Sequence, residues 1–142
     1  CAQSFHWFDD AVALPEIARV LRPHGRLALV WNVRDDTDAW TARLSAIIGN
    51  ESVAEEDVVP AIAASGLFGT VETAHFAHEQ ALDRDGLLDL VLSRSYVAKL
   101  APAERAPVLD AVRALYDETA DPRGVRVVYR AECFRAERIG AP

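Results

Sequence analysis

Five consecutive apolar residues, Leu27-Ala28-Leu29-Val30-Trp31, follow directly on the helix-breaking triplet Pro23-His24-Gly25. A short apolar run without alternation fits a strand covered on both faces, as in a parallel sheet flanked by helices. Upstream, Asp9 and Asp10 offer capping oxygens for a helix reaching about Leu21, with Val12, Ile17, Val20 and Leu21 on one face. Pro15 fits only near the start of that helix, and Gly25 suits a positive φ in the turn that ends it. A helix feeding a strand of this type argues for an α/β layer architecture.

The rest of the chain keeps that rhythm. Thr37 or Asp38 can cap a helix carrying Trp40, Leu44, Ile47 and Ile48, stopped at Gly49-Asn50. The acidic run Glu55-Glu56-Asp57 opens a second helix with Val58, Val59 and Ile62, which ends at Ser65-Gly66. A strand follows near Val71 to His78. Asp83 or Asp85 precedes a helix with Leu87, Leu88, Val91 and Leu92 inward, and Pro102 is the natural first residue of the next. Val125, Val127, Tyr129, Ala131 and Cys133 then alternate with Arg126, Arg130 and Glu132, the period of a half-exposed strand. Residues 1–142 read as a single unit without linker or repeat.

The 142 residues suffice for one hydrophobic core, and 51% apolar with 26% charged residues is ordinary globular composition. A formal charge of −7 disfavours nucleic acid or an anionic membrane as partner. No apolar run is long enough to span a bilayer. Cys1 and Cys133 imply no disulfide framework, so a reducing cytoplasm is the expected compartment. The histidines stand at 6, 24, 75 and 78; with two thiols and no close second pair, and with His75 and His78 on opposite faces of a strand, no metal is expected. Cys133, on the apolar side of its strand, is expected to be a buried, inert thiol.

Two phrases carry a family likeness: Cys1-Ala2-Gln3-Ser4-Phe5-His6-Trp7-Phe8-Asp9, and the stretch from Glu16 through Leu21-Arg22-Pro23-His24-Gly25 to Trp31-Asn32. In this order and separation they resemble the region around the fourth and fifth strands of class I S-adenosylmethionine-dependent methyltransferases of the small-molecule type. Ser93-Arg94-Ser95-Tyr96 is a weaker echo of a helix that many members place beside the active site. The resemblance implies the C-terminal half of a Rossmann-like fold: strands five, six and seven, the tail of strand four and an incomplete sheet. His24 departs from the family's usual glycine. The family's glycine-rich cofactor loop has no counterpart, since the glycines at 25, 49, 66, 69, 86, 124 and 140 form no G-x-G. The chain, opening on Cys1 in mid-motif, is therefore expected to be truncated relative to its parent.

Ligands of open α/β sheets bind beyond the carboxyl ends of the strands. The resemblance thus puts Gln3, Ser4, Phe5 and Trp7 against S-adenosylmethionine, the aromatic rings suiting a sulfonium, with His6 as a general base. Trp31, Asn32, Ser95 and Tyr96 would meet a small-molecule methyl acceptor. The parent protein is expected to transfer a methyl group, and these residues alone to be inactive. Two alternatives are a non-catalytic module that dimerises through an exposed sheet edge, and a binding protein that kept the fold and lost the reaction.

Overall fold

The computed structural model describes residues 1–49, 55–119 and 123–139. A 3-10 turn (Phe5–Trp7) leads into α1 (Asp10–Val20), β1 (Arg26–Arg34), α2 (Ala39–Ile48) and α3 (Glu55–Ala64). Then come β2 (Glu72–Leu82), α4 (Arg84–Leu92), the single turn α5 (Ser95–Ala98), α6 (Pro102–Thr119) and β3 (Val125–Glu137). The alternation of helices and strands is the α/β arrangement read from the sequence. Asn50, the side chains of Glu55, Glu56 and Asp57, and the tail 140–142 lie outside the described residues.

The three strands pair in the order β1-β3-β2. Strand β3 runs antiparallel to β1: the Arg138 amide donates to the Gly25 carbonyl at 2.8 Å, and the Asp35 amide to the Val128 carbonyl at 2.9 Å. Gly25 to Asp35 and Arg138 back to Val128 are both ten steps, so the register does not slip between the two bonds. Antiparallel bridging of Phe68 with Arg138 leads into the β2 pairing, while Ala2 bridges Val30 in parallel. By contacts the chain forms two compact units, Cys1–Val33 with Ser52–Phe76 and Arg130–Pro142, and Arg34–Glu51 with Ala77–Tyr129. Neither is contiguous in sequence, so no linker marks a boundary.

The first unit's core gathers Phe5, Leu14 and Ala18, the β1 residues Leu27, Leu29 and Trp31, Val58 and Ile62 of α3, then Phe68, Phe134 and Ala136. Each large apolar side chain so covered contributes about 1.5–3 kcal/mol. Asp9 caps α1 by accepting the Ala11 amide at 3.0 Å. The inward face of α1 is Leu14 and Ala18 with Ile17 and Leu21 packed beside them, so Ile17 and Leu21 face the core as expected, whereas Val12 and Val20 are exposed. Pro15 lies inside the helix rather than in its first turn. Strand β1 is not buried on both faces: Leu27, Leu29 and Trp31 are covered, Ala28 is exposed and Val30 is half-buried. Ala28 and Val30 instead line an open groove of about 360 Å³ with Thr73, Cys133 and Arg135. Cys133 is accordingly half-buried, not sealed in the core.

The turn before β1 also differs from expectation. The positive φ, 61°, falls on His24 and not on Gly25. Gly25 is needed for closeness: a Cβ there would meet the Arg22 carbonyl oxygen at 2.8 Å.

The second unit's core takes Leu44 and Ile48 of α2, Leu87 and Val91 of α4, Val97, Val112 and Leu115 of α6, and Val125, Val127 and Tyr129 of β3. Helix α6 packs on α2 and α4. Asp38 and Asp83 cap their helices by accepting the amides of Thr41 and Gly86, both at 2.8 Å. Pro102 is indeed the first residue of α6, where its missing donor is harmless. Buried Thr41 accepts the Val128 amide on its Oγ1 at 3.1 Å, satisfying a strand donor with a side chain. The buried residues of β3 are odd-numbered through Tyr129 and even-numbered from Glu132 onward, so the simple alternation predicted to Cys133 does not persist. Odd positions serve this core and even ones the first unit's.

Candidate functional site

The first phrase of the sequence folds against the second. With Ala2 bridged in parallel to Val30, residues 3–7 leave the carboxyl end of that short pairing beside Trp31 and Asn32. Gln3 takes a left-handed φ of 53°, which costs a side-chain-bearing residue on the order of 1 kcal/mol. Two bonds hold it: its amide donates to the Val30 carbonyl at 2.9 Å, and its Nε2 to the Asn32 carbonyl at 3.3 Å. Ser4, half-buried, starts the 3-10 turn without spending its hydroxyl on a cap.

The aromatic residues of this turn separate into two kinds. Phe5 is 2% exposed in the first unit's core and meets the exposed Phe8 edge-on, so its ring has no open face to offer a cofactor. Trp7 is 62% exposed, and its ring lies 4.8 Å from that of His6. Trp31, 3% exposed, is likewise a core side chain stacked edge-on against Phe134. Only its polar edge reaches the turn, where Nε1–H donates to His6 Nδ1 at 3.3 Å. With Nδ1 accepting, the neutral imidazole carries its proton on Nε2 and presents a donor. Service as a base at Nε2 requires tautomer exchange. Of the predicted residues, Gln3, Ser4, His6, Trp7 and Asn32 are gathered at one accessible turn, while Phe5 and Trp31 form its floor.

Ser95 and Tyr96 belong to the second unit, in α5. There Tyr96 donates its hydroxyl to the Gly49 carbonyl at 3.1 Å. The same carbonyl accepts from Arg34 Nη2, which also approaches the Tyr96 hydroxyl at 3.4 Å. Arg34 Nε donates to Ser45 Oγ at 2.9 Å, and Ser45 donates to Asp36 at 2.7 Å. Close by, Arg94 Nη2 donates to the Tyr129 hydroxyl at 3.4 Å, and His78 stacks on the Tyr129 ring. Burial pushes the Tyr129 phenol above its ordinary pKa, against the opposing pull of Arg94 and Arg34. Arg34 and Tyr129 were given no site role from sequence, and Arg94 entered only as part of the phrase Ser93-Arg94-Ser95-Tyr96. In chain order the three stand at the end of β1, at the start of α5 and within β3, and no local spacing announces that these segments meet.

Among the described residues no group of three or more histidine, cysteine or acidic side chains could hold a metal ion. No described helix is long and apolar enough to cross a membrane.

No family model matches the chain. It is 39% identical over 138 residues, 95% of its length, to the uncharacterized methyltransferase Rv3342 of Mycobacterium tuberculosis. It is 32% identical over 145 residues, 97% of its length, to an uncharacterized methyltransferase-like protein of Schizosaccharomyces pombe. The chain spans 56% and 57% of these relatives' own lengths. In structure it is similar to a Bacillus halodurans protein provisionally named a methyltransferase, with a TM-score of 0.50 at 15% identity, over 99% of this chain and 63% of that one. The likeness read from residues 1–32 is thereby borne out over nearly the whole chain, and the partial α/β sheet is that of the methyltransferase fold.

Proposed function

We propose that this chain, a relative of proteins named methyltransferases and sharing their fold, is part of an S-adenosylmethionine-dependent enzyme that methylates a small molecule. The observation that carries the reading is the parallel bridge between Ala2 and Val30. It sets the two family-like phrases side by side at strand ends, where open α/β sheets bind ligands. Methyl transfer from a sulfonium is an in-line displacement: the acceptor's lone pair forms the new bond to carbon, the carbon–sulfur bond breaks, and a neutral thioether leaves. It needs alignment above all, and a group to manage the acceptor's proton.

In this proposal Gln3 and Ser4 border the cofactor's polar end and exposed Trp7 offers an aromatic face to the sulfonium. His6 faces the acceptor, first as an Nε2–H donor and, after tautomer exchange, as the base. Asn32 is the proposed acceptor contact in the first unit; Ser95 and Tyr96 belong to the second unit and are proposed for the acceptor on the family likeness alone. The chain holds no G-x-G, so its share of the cofactor site is the part built by residues 3–7. Calorimetry with S-adenosylmethionine and S-adenosylhomocysteine, on the full gene product and on these 142 residues, tests it. Micromolar binding by the full product and much weaker binding by the 142 residues is the expected pattern. Absence of binding by the full product refutes the reading.

A second reading has its own observation: residues 72–81 of β2 are all exposed. An edge strand of this kind can pair with a second copy, giving a self-associating module. A mass that stays monomeric in light scattering at micromolar concentration removes that reading.

A further inference from the structure

Among the described residues, two guanidinium groups of the second unit make no ion pair with an acidic side chain. Arg34 is 6% exposed, yet its bonds go to Ser45 Oγ, the Gly49 carbonyl and the Tyr96 hydroxyl, all uncharged. The Ser45 hydroxyl in turn donates to Asp36. Arg94 spends one Nη on a phenol at 3.4 Å, and its Nε is buried with no partner. A buried charge without a counter-charge is expensive. The C-terminal end of α2 at Gly49, worth about half a negative charge, offsets part of this for Arg34. For half-buried Arg94 the partner among the described residues is the Tyr129 hydroxyl.

The groups around this pair are suited to oxygen-rich anions. An arginine edge presents parallel donors that match the two oxygens of a carboxylate or phosphate. The hydroxyls of Tyr96 and Tyr129 can rotate to donate to further oxygens. Arg94 and Tyr96 are both half-buried, which leaves one side of the cluster open to approach. We propose that Arg94, backed by Arg34, Tyr96 and Tyr129, seats the carboxylate or phosphate group of a small-molecule ligand. As the site of a methyl acceptor this rests on the methyl-transfer reading, and it restricts that acceptor to anions. As a binding site it stands without it.

The test is an NMR titration of the arginine Nε–H resonances with inorganic phosphate and, separately, with succinate. Sodium chloride at matched ionic strength is the control. A saturable shift of the Arg94 signal is expected, with a dissociation constant of about 1 mM or tighter. Tighter binding of phosphate or of succinate identifies the source of the anion. Arg94→Gln should weaken binding at least roughly tenfold, as expected for a lost charge-assisted hydrogen bond. Arg94→Lys, which keeps the charge but not the fork, should fall between. No saturable shift with either anion, the same shift with chloride, or unchanged affinity in Arg94→Gln overturns the proposal. If Arg94→Gln does not fold, the wild-type titration and Arg94→Lys decide. A protein that binds S-adenosylmethionine but neither anion loses this seat and keeps the methyltransferase reading.

Discussion

Trp31 donates its indole N–H to Nδ1 of His6 at 3.3 Å, so a core side chain fixes the tautomer of an exposed one. Trp31→Phe keeps the aromatic floor and removes the donor. The His6 ring should then shift from the Nε2–H form toward a mixture of tautomers, visible in long-range proton–nitrogen correlation spectra. The accompanying loss of stability should be about 1 kcal/mol. An unchanged tautomer pattern would show that Trp31 does not set it.

His24 holds a left-handed φ and its Nδ1 lies 2.7 Å from Glu137 Oε1. The hydrogen bond with His24, with Arg26 adding to it, keeps the Glu137 carboxyl below the usual carboxylate range. A depressed carboxylate stabilises the fold above its unfolded pKa, and that contribution disappears as pH falls through the folded value. In both His24→Ala and His24→Gly the Glu137 titration, followed by carboxyl carbon shifts, should move upward. The two variants should differ in stability: glycine removes the Cβ penalty and should exceed alanine by about 1 kcal/mol in urea denaturation.

Thr41 is fully buried and its hydroxyl accepts the Val128 amide. Thr41→Val preserves shape while stranding that donor. A cost of about 1–3 kcal/mol is expected, with faster hydrogen exchange at the Val128 amide. Exchange equal to wild type would mean the amide finds another acceptor.

Gly124 opens β3 with a φ of 89°, and a Cβ there would strike the Leu82 carbonyl. Backbone, unlike a flexible side chain, cannot step aside cheaply. Gly124→Ala should therefore lower stability by more than about 2 kcal/mol, measured as the thermal midpoint. Gly66→Ala is the comparison, since φ is 65° there but nothing lies within 4 Å; its loss should be smaller.

The order of elements was legible because capping aspartates and breaker residues act locally: Asp9, Asp38 and Asp83 each accept the amides that their spacing implied. Facing was less legible. In α1 the valines at 12 and 20 look inward by hydrophobicity, but the neighbours that exist at Leu14 and Ala18 decide the face. In β1 five apolar residues promised two covered sides, and hydropathy cannot reveal that one side opens into a groove. The turn at residues 3–7 was recognised through its phrase, yet the phrase did not separate Phe5, which is core, from Trp7, which is surface. The phrase Ser93-Arg94-Ser95-Tyr96 pointed to one side of the Arg34–Tyr96 and Arg94–Tyr129 cluster, but the pairing with Arg34 and Tyr129 was invisible, because it depends on long-range closure of segments with no shared spacing.

Strand β2 keeps no apolar side chain under cover from Glu72 to Ala81, and its ring at Phe76 is 61% exposed. Its ion pairs, Glu72 with Arg135 and Glu79 with Arg126, lie at the surface, where such pairs contribute little. Apart from His78, stacked on the Tyr129 ring, the side chains of β2 give the ladder little cover. Ladder bonds with little packing open one after another without waiting for the core to melt. Its amides should therefore exchange on a faster clock than those of β1, and a protease that needs an extended substrate should find its first cleavage there.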